Sequence, residues 1–308
     1  MRSPLSTGVY VYGDDATGRP IRMIEVNDSV LQQINKSFVI PPQPALLKEL
    51  KGLAEQQEPH LSDVAELIAK DLAISAAILK TINSPAFGLA RSVSDIRQAV
   101  MFLGLEGAFS LVQGLKLKEA FGSNKCSISL ERFWDNSALI ADVAMYIGNL
   151  VKIQVPVEDL YTLGLFHDCG VPPMAIKYQD YGALQAFATQ NIQHSLPSFE
   201  DKKYKTSHPI IGYYLATTWH LPKNICKLIL HHHDMEFLDA IDDSQDQICF
   251  AVLKMAENIV HEERDYSPAR DWFEVRAAVL DVLGLTEYDY NDIKEDISEI
   301  IFSRESPE

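Results

Sequence analysis

Three histidines stand side by side at positions 231–233, and most of the nine in the chain fall between residues 167 and 261. Imidazole and carboxylate together are the usual ligands for Zn, Fe, Mn or Ni. Three places put such groups where helices are expected to begin or end: His167-Asp168 before Gly170, His208 before Pro209, and His231-His232-His233-Asp234. Helix ends let side chains from different helices converge on one point. Two readings of these residues stay open. One is a site for a divalent cation; the other is a buried polar cluster in which His167 and Asp168 hydrogen-bond and close a helix end. Nucleophilic catalysis has no comparable signature: there is no GxSxG elbow, no Cys or Ser in a His-paired context, and no Gly-rich nucleotide loop.

The elements that must carry these residues are helical. Gln43 to Gln57 places Leu46, Leu47, Leu50, Leu53 and Ala54 on one stripe. Ser62 or Asp63 is expected to cap a second helix and Asp71 a third, which buries Ile74, Ile78 and Leu79. A loop follows at 83–88. Ser94 or Asp95 then opens a helix that Gly104 breaks, and Leu105 to Phe121 forms another. The small, polar stretch 122–129 is the expected boundary. Beyond it, helices are expected at 130–151, 157–168, 176–191, 208–219, 222–232 and 247–262, then at 268–283 and 290–302. The last pair carries apolar stripes (Trp272, Phe273, Val275, Val279, Leu280; Ile293, Ile297, Ile300, Ile301) and so reads as folded. Val9 to Val26 instead reads as a short hairpin or extended arm.

The expected fold is therefore all-α: two packed helical bundles with a short N-terminal β-hairpin. The parts are an arm at 1–27, bundles at 28–122 and 123–265, and acidic helices at 266–308 packed on the body.

The chain has 27 Lys plus Arg against 43 Asp plus Glu, a net charge of −16. Residues 234–308 hold 6 basic and 21 acidic side chains, so nearly all the excess lies there. Such a chain repels phosphate backbones, which argues against nucleic-acid binding. No apolar run approaches the roughly 20 residues of a membrane span, and Met1 to Val11 lacks a signal-peptide pattern. Cys126, Cys169, Cys226 and Cys249 are too far apart for a CxxC motif and fit reduced thiols in the cytoplasm.

The order of the motifs resembles a known family. Leu163-Gly164-Leu165-Phe166-His167-Asp168-Cys169-Gly170 resembles the GLLHDxG signature of HD-superfamily metal-dependent phosphohydrolases. His208 to Gly212 resembles its HxxxG, and Ile229 to Asp234 its HHE or HHD element. Earlier segments are similar to the HDOD domain: Pro41-Pro42-Gln43-Pro44, then Ile68 to Leu72. Asn83-Ser84-Pro85-Ala86-Phe87-Gly88 and the Ile96…Ala99…Leu103-Gly104 helix continue the match. Together they cover roughly residues 38–262.

The resemblance implies a helical bundle packed on an HD-like bundle, with Asn83, Ser84, Phe87, Gly88 and Gly104 as family motif residues helping to form a cleft. It implies metal ligands at His167, Asp168, His208, His232 and His233. Two positions depart from the catalytic pattern: Asn136 stands where an early His is expected, and Glu257 where a late Asp is expected. The implied function is a cytoplasmic bacterial signalling or regulatory module, non-catalytic or weakly catalytic. It would bind a signalling protein or small ligand, with no nucleic acid and no membrane insertion, and would hold a divalent Fe, Mn, Zn or Ni weakly if at all. The alternative is a metal-dependent phosphohydrolase acting on a nucleotide or other phosphoester, in which the ion activates a water.

Overall fold

A computed structural model describes residues 37–38, 40–84, 87–89, 91–122, 125–151, 155–191, 194–240 and 244–305. The N-terminal hairpin or arm expected within 1–27 lies outside the described residues. Among those residues the secondary structure is helical and contains no strand.

The chain divides into two compact units that interleave along the sequence. One comprises residues up to Pro42, Asn124–Phe133 and Phe166–Ala240. The other comprises Gln43–Ser123, Trp134–Leu165 and Ile241 onward.

The second unit begins with α1 (Ala45–Ala54), α2 (Leu61–Ala69), α3 (Leu72–Ile82) and α4 (Ile96–Phe121). Leu47, Leu50, Val64, Ile68, Ile78 and Ile82 are buried among them, as the apolar stripes require. Asp71 caps α3 by accepting from the Ile74 amide at 3.1 Å, and Asp95 caps α4 by accepting from the Arg97 amide at 2.7 Å. The expected cap of α2 by Ser62 or Asp63 does not form. The helix starts earlier, after His60, so both residues lie inside its first turn.

By length and composition α4 is apolar enough to cross a membrane. It is two helical stretches joined at Gly104, whose φ of 69° and ψ of −174° no helix accommodates. The break at Gly104 is where the sequence places it.

α5 (Leu130–Leu150) and α6 (Val157–Phe166) follow. α13 (Ser244–Asp265), α14 (Trp272–Leu283) and α15 (Glu287–Glu305) complete this unit. The acidic helices bury Trp272, Val275, Val279, Leu280, Tyr290, Ile293, Ile297 and Ile301. Phe273, expected on the same stripe, is exposed.

The first unit carries α7 (Val171–Lys177), α8 (Tyr181–Gln190), α9 (Leu196–Tyr204), α10 (His208–Thr218), α11 (Lys223–His231) and α12 (Phe237–Ala240). The single helix expected at 176–191 is two, because Pro172 and Pro173 start a separate turn earlier and the chain bends at 178–180. Phe38, Met174, Tyr181, Ile210, Ile211 and Leu230 form its core. The Trp219 indole N–H donates to the Pro41 carbonyl at 2.9 Å and ties the start of the described chain to this core.

Candidate metal centre

Two glycines bring the chemistry together. A Cβ at Gly170 would lie 2.0 Å from the His208 carbonyl oxygen and 2.6 Å from the Gly212 nitrogen, distances no side chain tolerates. Only glycine lets the turn after Asp168 touch the first turn of α10. That contact sets His208 beside Asp168: His208 Nε2 is 3.2 Å from Asp168 Oδ1. The end of α11 delivers the rest. His232 Nε2 is also 3.2 Å from Asp168 Oδ1, and His233 Nε2 is 3.1 Å from His208 Nε2. One ligand atom from each of Asp168, His208, His232 and His233 falls within 4.8 Å of all the others.

The two remaining sequence candidates sit differently. His167 is buried next to the cluster, its Nε2 3.5 Å from the other Asp168 oxygen, Oδ2. His231 turns toward Asp234, at 3.5 Å, and toward the Phe237 ring.

Hydrogen bonding fixes which nitrogens carry protons. The Nδ1 of His232 is 2.7 Å from the Ile229 carbonyl oxygen, which can only accept, so Nδ1 carries the hydrogen. The Nε2 lone pair of a neutral His232 therefore points at a carboxylate oxygen. Two acceptors 3.2 Å apart repel unless a cation lies between them. His208 is likewise committed through Nδ1, but to a carboxylate. Its Nδ1 faces both oxygens of Glu200, at 2.8 and 2.9 Å, leaving Nε2 directed at Asp168 and His233.

Glu200 was invisible to motif reading. It lies on α9, a short charged helix with no apolar stripe, and is completely buried. Its carboxylate accepts from the His208 amide at 2.9 Å and from the Tyr181 hydroxyl. The local signal for α9 is Ser195 before Leu196-Pro197: Ser195 Oγ accepts from the Ser198 amide, and Pro favours the first helical turn. A carboxylate on the far nitrogen of a ligand histidine is the outer arrangement that orients metal-binding imidazoles.

The charges of the side chains themselves follow from this geometry. Burial opposes the Asp168 charge, but His167, His208 and His232 hold its carboxyl well below the usual range. Burial also opposes an imidazolium at His208, yet Glu200 and Asp168 overcome it and raise the ring to about 10, so its Nε2 carries a proton toward Asp168 that a bound metal would have to displace. Burial together with neighbouring His233 pushes His232 down to about 3, so it stays neutral. Burial and Glu200 raise Tyr181 well above 10, which keeps it a hydroxyl donor.

The donor set fits a divalent ion. Three imidazoles and a carboxylate suit Zn, Fe, Mn or Ni, and ligands about 2.0–2.1 Å from one ion lie roughly 3 Å apart. Such an ion would supply Lewis acidity, and Asp168, with a third of its side chain exposed, leaves it open to solvent.

Asn136 and Glu257 belong to the other unit, where each has a partner. Asn136 Oδ1 accepts from Arg264 at 3.3 Å, and Glu257 pairs with Lys254 at 2.8 Å. Lys254 is itself buried. Burial disfavours its charge, but Glu257 and Asp271 keep it an ammonium. The motif residue Asn83 ends α3 and bridges to Val93, donating to its carbonyl and accepting from its amide at 2.8 and 2.7 Å.

The HDOD domain model matches residues 40–235, and the chain belongs to the HDOD family. It is 28% identical over 204 residues to an uncharacterized protein of Treponema pallidum (strain Nichols), a match covering 64% of this chain and 38% of that protein. The chain thus spans well under half the length of that relative. Among solved structures it is similar to an HDOD domain protein of unknown function from Geobacter sulfurreducens. There the TM-score is 0.67 at 21% identity, covering 89% of this chain and 94% of that one. It is also similar to a Shewanella amazonensis SB2B protein called a "putative metal-dependent phosphohydrolase". That pair has a TM-score of 0.64 at 19% identity, covering 88% and 98%. At these identities the likeness shows the fold.

Proposed function

We propose that this chain is a regulatory HDOD module that holds one divalent transition metal through Asp168, His208, His232 and His233 and hydrolyses phosphoesters weakly or not at all. The observation that carries this reading is the His232 ring. With its proton committed to Ile229, its other nitrogen faces the Asp168 carboxylate, and a cation resolves the conflict. The ion pins α10 and α11 to the turn after α6, and the module acts by binding a small ligand or a signalling protein. The commitment of Glu257 to Lys254 and of Asn136 to Arg264 supports weak catalysis, because neither offers the Asp or His of the catalytic pattern. Four free cysteines fit a cytoplasmic location, and the charge of −16 argues against a nucleic-acid partner.

One observation favours a metal-dependent phosphohydrolase instead: the partly exposed Asp168 would leave an ion open to water and substrate. The two readings separate on turnover of a generic phosphoester by protein supplied with Mn, Fe or Zn. The regulatory reading expects well under one turnover per second; rates in the ordinary enzyme range of roughly 1–1000 per second would establish the phosphohydrolase.

A further inference from the structure

The second unit contains a cavity of about 210 Å³ that no part of the metal centre uses. That exceeds the roughly 150 Å³ apolar void known to admit benzene. Its walls come from α4, α5, α6 and the loop after α3, and three are aromatic: Phe87, Phe102 and Tyr161. Phe87 stands between the others, with ring centroids 6.2 Å from Phe102 and 6.1 Å from Tyr161, tilted 55° to each. Buried Leu111 and Met145 add apolar surface.

The charge in this cavity is one-sided. Glu158, in the first turn of α6, lines it, and among the described residues this carboxylate has no ion-pair partner. The remaining polar side chains, Ser110 and Asn149, are neutral, and among the described residues no Lys or Arg contributes to the lining. Among the described residues an anionic ligand such as a nucleotide or phosphoester would meet a carboxylate and no counter-charge. Aromatic faces carry negative potential that attracts an organic cation, and quaternary ammonium groups are bound in such partial cages.

We infer that this cavity is a binding site for a small organic ammonium ion with an apolar body, caged by Phe87, Phe102 and Tyr161 and neutralised by Glu158. The break at Gly104 supports the geometry, since it redirects α4 between Phe102 and Leu103 on one side and Ser110 and Leu111 on the other, all of which line the cavity.

The test is calorimetric titration of the full chain with benzyltrimethylammonium, and with benzyl alcohol as a neutral aromatic of related shape. Binding of the cation at least tenfold tighter than the alcohol is expected, with Glu158→Gln weakening the cation about tenfold and leaving the alcohol unchanged. Phe102→Leu, at a half-exposed position where truncation is tolerated, should weaken the cation severalfold. Melting curves confirm that each variant is folded, and either folded variant alone decides the matter. Equal affinity for the two probes, no binding of the cation at millimolar concentration, or cation binding unaffected by the folded variants would overturn the proposal.

Discussion

Glu200 grips His208 through both carboxylate oxygens, at 2.8 and 2.9 Å from Nδ1, and through the His208 amide at 2.9 Å. This buried pair, completed by the Tyr181 hydroxyl, determines which face of the imidazole the cluster sees. Glu200→Gln keeps the shape but loses the charge and one acceptor oxygen. We expect it to weaken metal binding by 10–100-fold and to cost about 1–3 kcal/mol of stability. Tyr181→Phe removes one donor and should do less of both. Metal titrations paired with denaturant melts measure the two effects separately.

Gly170→Ala is a sharper probe of the same site, since its Cβ would overlap backbone atoms of His208 and Gly212. Backbone cannot step aside as a flexible side chain can, so α10 must shift away from Asp168. The expected result is a loss of about 3 kcal/mol or more together with loss of the metal. Gly52→Ala, where a Cβ meets nothing within 4 Å, is the control and should be harmless.

Asn83→Ala should loosen the segment leading to Val93. The amide side chain makes three bonds at 2.7–2.8 Å, to Leu79 and to both backbone groups of Val93. Because the site is exposed, the expected stability cost is only about 1 kcal/mol. The clearer readout is faster tryptic cleavage at Arg91, followed by mass spectrometry.

Asp71 supplies an acid-sensitive increment of stability. Its hydrogen bond to Lys116, at 2.8 Å, and the cap it provides for Ile74 lower its carboxyl below the ordinary value. A lowered folded pKa means the contribution is complete above the unfolded value near 3.9 and is lost as pH falls through the folded one. Asp71→Asn keeps the cap and loses the ion pair, costing about 0.5–1 kcal/mol at neutral pH. Asp71→Ala loses both and should cost about 1–2 kcal/mol. The difference between wild type and Asp71→Asn in urea melts should shrink as pH drops below about 4.

Much of this was legible in the sequence, and the failures have physical causes. Helices with an apolar stripe, such as α1 and α3, announce themselves because burial selects one face. The caps Asp71 and Asp95 and the break at Gly104 were readable because each rests on local chemistry. His167, Asp168, His208, His232 and His233 could be singled out because they lie at helix ends in a recognisable order, and the last four come together with His167 beside them. Glu200 could not be. Its helix is short and charged, and its role depends on a contact with His208 that no periodicity encodes. The cap at Ser62 or Asp63 failed because competing polar residues a step apart make helix starts uncertain by one or two positions. The cavity was unreadable for a different reason: its walls come from several separate segments, and only their packing creates the space.

The central claim is that the Asp168, His208, His232 and His233 cluster is a cation site and more than a polar knot. Its most direct test is the metal content of protein purified without chelators, measured by mass spectrometry for wild type and for His208→Ala and His232→Ala. The account predicts a near-stoichiometric transition metal in wild type and its loss in both variants. A folded wild-type protein that carries no metal, and takes up none when Zn, Fe, Mn or Ni is supplied, would contradict it.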